Sequence, residues 1–139
     1  GSKTLKESAA DAVTVIGAGI TLFEALAAYE ELSGFARSRE ARQNPGIAIR
    51  VIDLYSIKPL DLETLQKAAR ETKAIITVED HYAEGGIGEA VASALSRSKT
   101  PVYSLAVRKM PKSGKPEELL DYEEISKNAI IKKVKEILR

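Results

Sequence analysis

The sequence predicts an α/β fold in which parallel strands form a doubly wound sheet with helices on both faces. Short β-branched apolar runs alternate along the chain with segments of helical periodicity. The connections between successive runs are long enough to cross over, which favours parallel neighbours. The length of 139 residues, 44% of them hydrophobic, suits a single domain with a well-developed core.

The first strand is predicted at residues 12–16, a β-branched run bounded by Gly17. A helix follows, and Thr21 and Glu24 have the spacing of a capping box, in which each side chain satisfies a free backbone donor. Its apolar stripe consists of Leu22, Ala25, Leu26, Ala28, Tyr29 and Leu32. Residues 33–46 are polar and rich in arginine, so we expect a long surface connection there.

Three further strands are predicted at residues 47–52, 74–78 and 102–107. Asp61 is a good N-cap for the helix after the second strand, and another helix is expected to begin near Ile87. A last helix carries an apolar stripe of Ile130, Val134, Ile137 and Leu138.

Composition excludes several classes of function. The chain has 21 Lys and Arg against 20 Asp and Glu, a net charge of +1, which argues against binding nucleic acid or acidic membranes by bulk charge. It has no Cys, so disulfides and thiolate metal sites are excluded. This leaves the compartment undecided, although a reducing one such as the cytoplasm fits easily. No apolar run is long enough to span a membrane and no signal peptide is visible, while residues 1–2 look like the remainder of a cleaved tag.

A glycine motif at residues 17–22 stands where a dinucleotide fingerprint would, after the first strand and at a helix start. The third glycine of that fingerprint lets the helix pack closely on the strand, and Leu22 stands in its place here. Asp53, the candidate ribose ligand, lies 31 residues beyond Leu22, whereas about 20 are expected. We therefore favour a structural turn at Gly17 and Gly19 over a nucleotide site.

A second glycine-rich segment, residues 85–88, opens the helix near Ile87, where free backbone amides can bind anions. Glu79, Asp80 and Glu84 precede it closely, and their carboxylates would repel a phosphate while the helix dipole stabilises them. The pattern favours a structural turn with internal capping over an anion site. A hard cation held by these carboxylates is a weaker alternative, because their spacing matches no known metal loop.

His81 is the only histidine, and therefore the one side chain whose ordinary pKa suits proton transfer near neutral pH. The chain offers no Gly-x-Ser-x-Gly elbow and no second histidine for zinc. A surface or interface role is therefore favoured over acid–base catalysis.

A basic loop at residues 108–116 follows the last predicted strand and has no aromatic side chain for stacking on single-stranded nucleic acid. We expect it to pair with the acidic segment at Glu79 or with a neighbouring domain. Its cations are Arg108, Lys109, Lys112 and Lys115. A second basic group, Arg37, Arg39 and Arg42, is interpreted as a solvated face.

Three long stretches of this sequence resemble the C-terminal domain of transketolase and occur in the family's order. They are VTVIGAGITLFEALAA, RVIDLYSIKPLDLETLQKAARETKAIITVEDHYAEGGIGEAVASAL and LAVRKMPKSGKPEELL. The most specific parts are residues 57–61, residues 78–81 with the glycine-rich stretch at 85–90, and Pro111 with residues 113–116 before residues 118–120. Related thiamine-dependent enzymes share the glycine-rich pattern, but the Asp80-His81 pair and the Ser-Gly-Lys-Pro segment resemble transketolase itself. The connection at residues 33–46 departs from the family by its length and its arginine content.

The resemblance implies a five-stranded mixed sheet, mostly parallel with one antiparallel strand. It also implies a parent homodimer that moves a two-carbon ketol unit between sugar phosphates in the pentose phosphate pathway, using thiamine diphosphate and a divalent cation, Mg or Ca. In the family the two N-terminal domains bind that cofactor and metal. The chain contains no Gly-Asp dipeptide, so the Gly-Asp-Gly start of the family's cofactor motif is absent, and no catalytic, cofactor or metal residue is carried over.

The chain is thus interpreted as the third domain of a transketolase, inactive alone and serving structure, assembly or regulation. Alternatives are a subunit of a split transketolase and a Rossmann-like nucleotide-binding regulatory domain. We expect one segment to contact a neighbouring domain or a ligand: Glu79, Asp80, His81, Gly85, Gly86 and Gly88.

Overall fold

The computed structural model describes residues 1–34, 46–82, 86–107 and 125–139, with the backbone alone at positions 81 and 82. The described chain forms one sheet and four helices. The strands are β1 (Ser2–Lys6), β2 (Val13–Gly17), β3 (Ile49–Leu54), β4 (Ile75–Tyr82) and β5 (Val102–Val107). The helices are α1 (Ile20–Leu32), α2 (Leu62–Glu71), α3 (Ile87–Ala94) and α4 (Lys127–Ile137).

The sheet has the spatial order β1-β3-β2-β4-β5. Strand β1 runs antiparallel to β3, whereas the β3–β2, β2–β4 and β4–β5 pairings are parallel. This confirms the predicted five-stranded mixed sheet. The carboxyl ends of β2, β3, β4 and β5 therefore meet at one edge of the sheet, which we call the carboxyl edge, and their starts define the amino edge.

Residue patterning alone missed strand β1, because its sequence, SKTLK, carries a single large apolar residue. An edge strand needs little apolar surface, and lysines on it discourage pairing with other chains. Strand β1 is fixed by its register on β3, from Ser2 opposite Leu54 to Lys6 opposite Val51. Ser2, interpreted from the sequence as tag remainder, is the first residue of this strand.

The core lies on both faces of the sheet, as the doubly wound prediction requires. Alternate strand residues point to opposite faces, so Val15 joins the cluster under α1 and α4 while Ile16 joins the cluster under α2 and α3. Ile76 and Ile75 divide in the same way. All four side chains are fully buried, and burying each of them contributes about 1.5–3 kcal/mol to the free energy of unfolding.

The predicted N-cap of α2 is confirmed. An Asp61 carboxylate oxygen accepts a hydrogen bond from the Thr64 amide at 3.1 Å, and the hydroxyls of Ser2 and Thr64 donate to its other oxygen at 2.8 Å. Hydrogen bonds to the charged form lower the pKa of Asp61 from its ordinary value of 3.8, chiefly that from Ser2 and then those from Thr64. The cap thus also ties β1 to α2.

The predicted capping box at the start of α1 is wrong. The helix begins at Ile20 with Gly19 as N-cap, and Thr21 lies inside the first turn. The Thr21 hydroxyl is 2.8 Å from the carbonyl oxygen of Val78 and accepts from the Ala18 amide at 3.0 Å. The Glu24 carboxylate accepts instead from the Lys127 amide at 3.1 Å, so it caps α4. Thr21 and Glu24 thus bind distant parts of the chain, β4 and α4, instead of capping α1 together.

No helix in the described part of the chain is both long and apolar enough to cross a membrane.

Candidate functional site

The Glu79 carboxylate closes the N-terminus of α3. Glu79 lies on β4 with 1% of its surface exposed. Its two carboxylate oxygens each accept a backbone hydrogen bond of 2.8 Å, one from Ile87 and one from Gly88. The first amides of a helix lack partners inside the helix, and negative charge there is favourable. Glu79 therefore serves as a capping group that comes from the neighbouring strand.

Gly86 and Gly88 provide the space that this carboxylate needs. A Cβ atom on Gly86 would collide with an oxygen of Glu79. A Cβ on Gly88 would lie 2.6 Å from the Ser104 hydroxyl oxygen, 3.0 Å from that of Thr77 and 3.1 Å from Glu79. The close contacts therefore explain why both positions are glycine. Backbone conformation does not explain Gly86, because its φ angle of −97° is open to any residue.

The geometry supports the predicted internal capping against the alternative of an anion site. A phosphate at the start of α3 would have to displace a buried carboxylate from the same two amides. Within the residues that the structure describes, no cluster of His, Cys, Asp and Glu has the composition to hold a metal ion. The hydroxyls of Thr77 and Ser104, both buried beside Gly88, have no hydrogen-bond partner among the described residues.

The remaining residues of the predicted contact segment are placed only in part. Asp80 is exposed next to Glu79, and His81 lies on β4, where the backbone alone is described. Between Val78 and Tyr82 the register with β5 is irregular, and such irregularities redirect side chains at the ends of strands. Glu84 and Gly85 lie outside the described residues, as do the basic loop at residues 108–116 and the arginines at positions 37, 39 and 42.

The glycine motif after β2 has local structural reasons. A Cβ on Gly17 would lie 3.0 Å from the Leu22 backbone nitrogen, so the glycine lets α1 approach the end of β2. Gly19 has a φ of 59°, which L-residues rarely adopt. Asp53 does lie beside Gly17 in the register of β3 and β2, as a ribose ligand would. The favoured interpretation as a turn thus accounts for both glycines without a nucleotide.

The carboxyl edge also carries exposed apolar side chains that the sequence analysis did not single out. Ile20 and Phe23 lie in the first turn of α1, Tyr55 follows the last residue of β3, and Leu62 begins α2. The sequence did indicate that Phe23 is exposed, because it lies outside the apolar stripe that Leu22, Leu26 and Tyr29 form on α1.

Comparison with known proteins places this arrangement in a family. The family model described as "Transketolase, C-terminal domain" matches residues 2–130. The chain belongs to the transketolase C-terminal domain family. It is 55% identical over 137 residues to transketolase-like protein 2 of Mus musculus and 49% identical over 136 residues to transketolase of the same organism. These matches cover 97% and 96% of this chain but only 20% of each relative, so the chain spans about a fifth of their length.

Solved structures agree with this transketolase assignment. A structure described as a split-gene transketolase in an inactive β4 tetramer superposes with a TM-score of 0.81 and 34% identity, covering 99% of this chain and 42% of that one. Transketolase from Campylobacter jejuni superposes with a TM-score of 0.64 over 96% of this chain and 18% of its own. Its identity of 18% supports the fold alone.

The transketolase domain also holds a buried arginine at its amino edge that the sequence analysis missed. Arg50 lies on β3 with 4% of its side chain exposed and forms ion pairs with Glu71 at 2.9 Å, Asp11 at 3.3 Å and Glu7 at 3.5 Å. Asp11 is itself buried and also accepts from the amide and the hydroxyl of Ser8, both at 2.8 Å. The signal was a charged residue inside the apolar run 47–52.

Proposed function

We propose that this chain is the non-catalytic C-terminal domain of a transketolase. The complete enzyme would transfer a two-carbon ketol unit from a ketose phosphate to an aldose phosphate within the pentose phosphate pathway. The observation that carries the non-catalytic role is Glu79: the helix N-terminus best placed to bind a phosphate is filled by a carboxylate of the same domain. The family match over residues 2–130 supports the parent enzyme.

The parent would use thiamine diphosphate and a divalent cation, Mg or Ca, bound outside this chain. Neither the sequence motifs nor the residues that the structure describes support a site for either group in this chain. The sequence has no Gly-Asp dipeptide, and the described residues offer no cluster of metal ligands. No chemical step is therefore assigned to this chain, and its role is structure, assembly or regulation within a cytoplasmic homodimer.

The contact segment around Glu79, Asp80, His81 and the following glycines is proposed to meet a neighbouring domain or subunit. Open α/β sheets place their binding surfaces at the carboxyl ends of strands, where this segment lies. Replacing His81 with Ala in the full-length enzyme is expected to weaken dimer assembly or turnover. An unchanged dimer with an unchanged rate contradicts this assignment.

The decisive experiment for the non-catalytic role is calorimetric titration of this chain. Thiamine diphosphate with Mg²⁺, and separately a ketose phosphate and an aldose phosphate, should give no saturable heat at micromolar concentration. Saturable heat in any of the three titrations contradicts the proposal. A thermal-shift screen with nicotinamide and adenine nucleotides tests the nucleotide-binding alternative, since a ligand at 100 times its Kd would add about 2.7 kcal/mol of stability.

A split transketolase is the second candidate, favoured by the 34% identity to a structure described as a split-gene transketolase. Here the chain would be part of a separate subunit. Mixing it with a polypeptide that carries the cofactor-binding domains would restore ketol transfer without a covalent link. Turnover only in a continuous polypeptide contradicts this candidate.

A further inference from the structure

A cleft between the ends of helices α2 and α3 carries two arginines. Its volume is about 270 Å³, and both Arg70 and Arg97 line it. Arg70 lies in the last turn of α2, and Arg97 follows the C-cap of α3 by two residues. The two helices lead into the first residues of β4 and β5, so this cleft, which we call the arginine cleft, lies at the amino edge of the sheet.

The two arginines have no carboxylate partner within the part of the chain that the structure describes. The residues that line the arginine cleft carry no negative charge. The ion pairs among the described residues belong to other cations: Arg50, Lys67, Lys127 and Lys133. The dipole of α2 favours a cation in its last turn, which accounts for the position of Arg70. Two like charges beside one cleft nevertheless raise the local positive potential and attract an anion.

A second cleft at the same edge shows the contrast. Arg50 and Lys67 line it, but so do Glu7 and Glu71. Glu71 pairs with Arg50 at 2.9 Å, and Glu7 pairs with Lys67 at 3.0 Å. The cations of this second cleft are thus neutralised inside the domain, and an external anion would have to displace a carboxylate. An anion in the arginine cleft meets no such competitor among the lining residues.

The remaining lining of the arginine cleft suits an organic anion. Ala69, Ala94 and Leu95 provide apolar surface. Gln66 and Ser98 add neutral groups that can donate or accept hydrogen bonds. Apolar lining with a few well-placed polar and charged groups is typical of small-molecule sites.

Hydrogen bonds join the two sides of the cleft. The Thr100 hydroxyl donates to the Ala69 carbonyl oxygen at 2.5 Å, which ties the segment after α3 to the last turn of α2. The Ser98 amide donates to the Leu95 carbonyl oxygen at 2.9 Å, and the Ser98 hydroxyl accepts from the Thr100 amide at 3.1 Å. The backbone that carries the two arginines is therefore held in place without a ligand, which lowers the entropic cost of binding one.

We propose that the arginine cleft binds a small organic dicarboxylate, with one carboxylate on Arg70, the other on Arg97 and a short apolar chain between them. Guanidinium groups bind carboxylates through two parallel hydrogen bonds, a geometry that ammonium groups cannot match. The chain of the ligand would cover the alanines and the leucine of the lining, whereas a phosphate ion has no apolar part to do so. The site is separate from the predicted contact segment and does not depend on the proposed function.

An NMR titration of the isotope-labelled chain with succinate, glutarate and adipate tests the proposal without any substitution. The pH and the ionic strength are held constant. Both arginines are exposed to water, so we expect a dissociation constant of the order of 1 mM for the best of these ligands. The side-chain Nε–H signals of Arg70 and Arg97 should shift, and that of Arg50 should not. The absence of a saturable shift at Arg70 and Arg97 up to about 20 mM of each ligand overturns the proposal.

Two further probes test the class of ligand. Butyrate has an apolar chain but a single carboxylate, so it should bind at least about tenfold more weakly than the best dicarboxylate. Inorganic phosphate gains nothing from the apolar lining and should also bind at least about tenfold more weakly. Equal affinity for butyrate would mean that one arginine suffices, and equal affinity for phosphate would assign the cleft to phosphate. Either result overturns the dicarboxylate assignment.

A matched pair of double variants locates the site. Arg70→Gln/Arg97→Gln removes both guanidiniums and should weaken binding of the best dicarboxylate at least about tenfold. The control Lys67→Gln/Lys133→Gln removes the same charge from cations that have carboxylate partners, and should change the affinity less than about twofold. Equal weakening in the two variants would mean that the ligand responds to net charge alone, and overturns the proposal. The titration of the unsubstituted chain decides the question independently of how stable these variants are.

Discussion

The two edges of the sheet differ in which groups they bury: the amino edge buries a charged pair, whereas the carboxyl edge leaves apolar side chains exposed. At the amino edge, Arg50 and Asp11 are buried together and bind carboxylates and backbone groups of the same domain. At the carboxyl edge, Glu79 closes the helix start for which internal capping was favoured over an anion site, while Phe23 and Tyr55 stay exposed. The amino edge thus pairs its buried charges within the domain, and the carboxyl edge is internally capped yet keeps exposed apolar side chains.

The largest expected effect concerns the amino edge. Arg50→Met should lower the free energy of unfolding by about 3–5 kcal/mol, because it leaves the buried Asp11 charge without its cation. The measurement is urea denaturation of the chain. The double variant Arg50→Met/Asp11→Asn should recover part of that loss, since the uncompensated charge is removed. Additive losses in the two single variants would show that the amino edge is not one coupled cluster.

The next effect concerns the capping group at the carboxyl edge. Glu79→Ala should lower the free energy of unfolding by about 2–3 kcal/mol, because the amides of Ile87 and Gly88 lose a charged acceptor in a buried site. The control is Glu63→Ala, an exposed carboxylate in the first turn of α2, with an expected change within about 0.5 kcal/mol. Denaturation midpoints of the two variants are compared at constant pH. Equal losses of stability in the two variants would mean that the Glu79 cap contributes no more than an exposed surface carboxylate.

A smaller effect tests the close packing around Gly88. Gly88→Ala should cost about 1–3 kcal/mol, since its Cβ would lie 2.6 Å from the Ser104 hydroxyl oxygen. Adding Ser104→Ala removes that oxygen and should recover at least half of the loss by thermal unfolding. If Ser104→Ala gives no recovery, the Cβ at position 88 is excluded by the side-chain oxygens of Thr77 and Glu79, which also lie near it.

How much of this could be read from the sequence differs between the two edges. The alternation of apolar runs and helical segments predicted the parallel strands correctly. The proximity of Glu79 to the glycine-rich segment favoured internal capping, which the Glu79 hydrogen bonds confirm. Arg50 was missed because its partners come from positions 7, 11 and 71, and such ion pairs depend on how distant elements pack. The same reason explains the wrong capping box: Glu24 reaches Lys127, more than 100 residues away.

Strand β1 shows the same limit for the fold. Its five residues carry no periodic apolar pattern, and only their register on β3 makes them a strand. The resemblance to transketolase implied the antiparallel strand that residue patterning did not. Edge elements are held by backbone pairing with a strand that is already in place, so their own side chains carry little of the information.

The smallest expected effect concerns the Asp61 cap, which joins β1 to α2 at the carboxyl edge. Asp61→Ala should cost about 1 kcal/mol, the usual loss for an N-cap. The pKa of Asp61 is lowered in the folded chain, so the charged cap stabilises above its ordinary pKa of 3.8, and this contribution is lost as the pH falls through the lower folded value. The stability difference between the wild-type chain and Asp61→Asn should therefore be present at about pH 6 and shrink towards about pH 2. A difference that is independent of pH would mean that the Ser2 and Thr64 donors serve the uncharged side chain equally well, and that β1 is tied to α2 by geometry rather than by the charge.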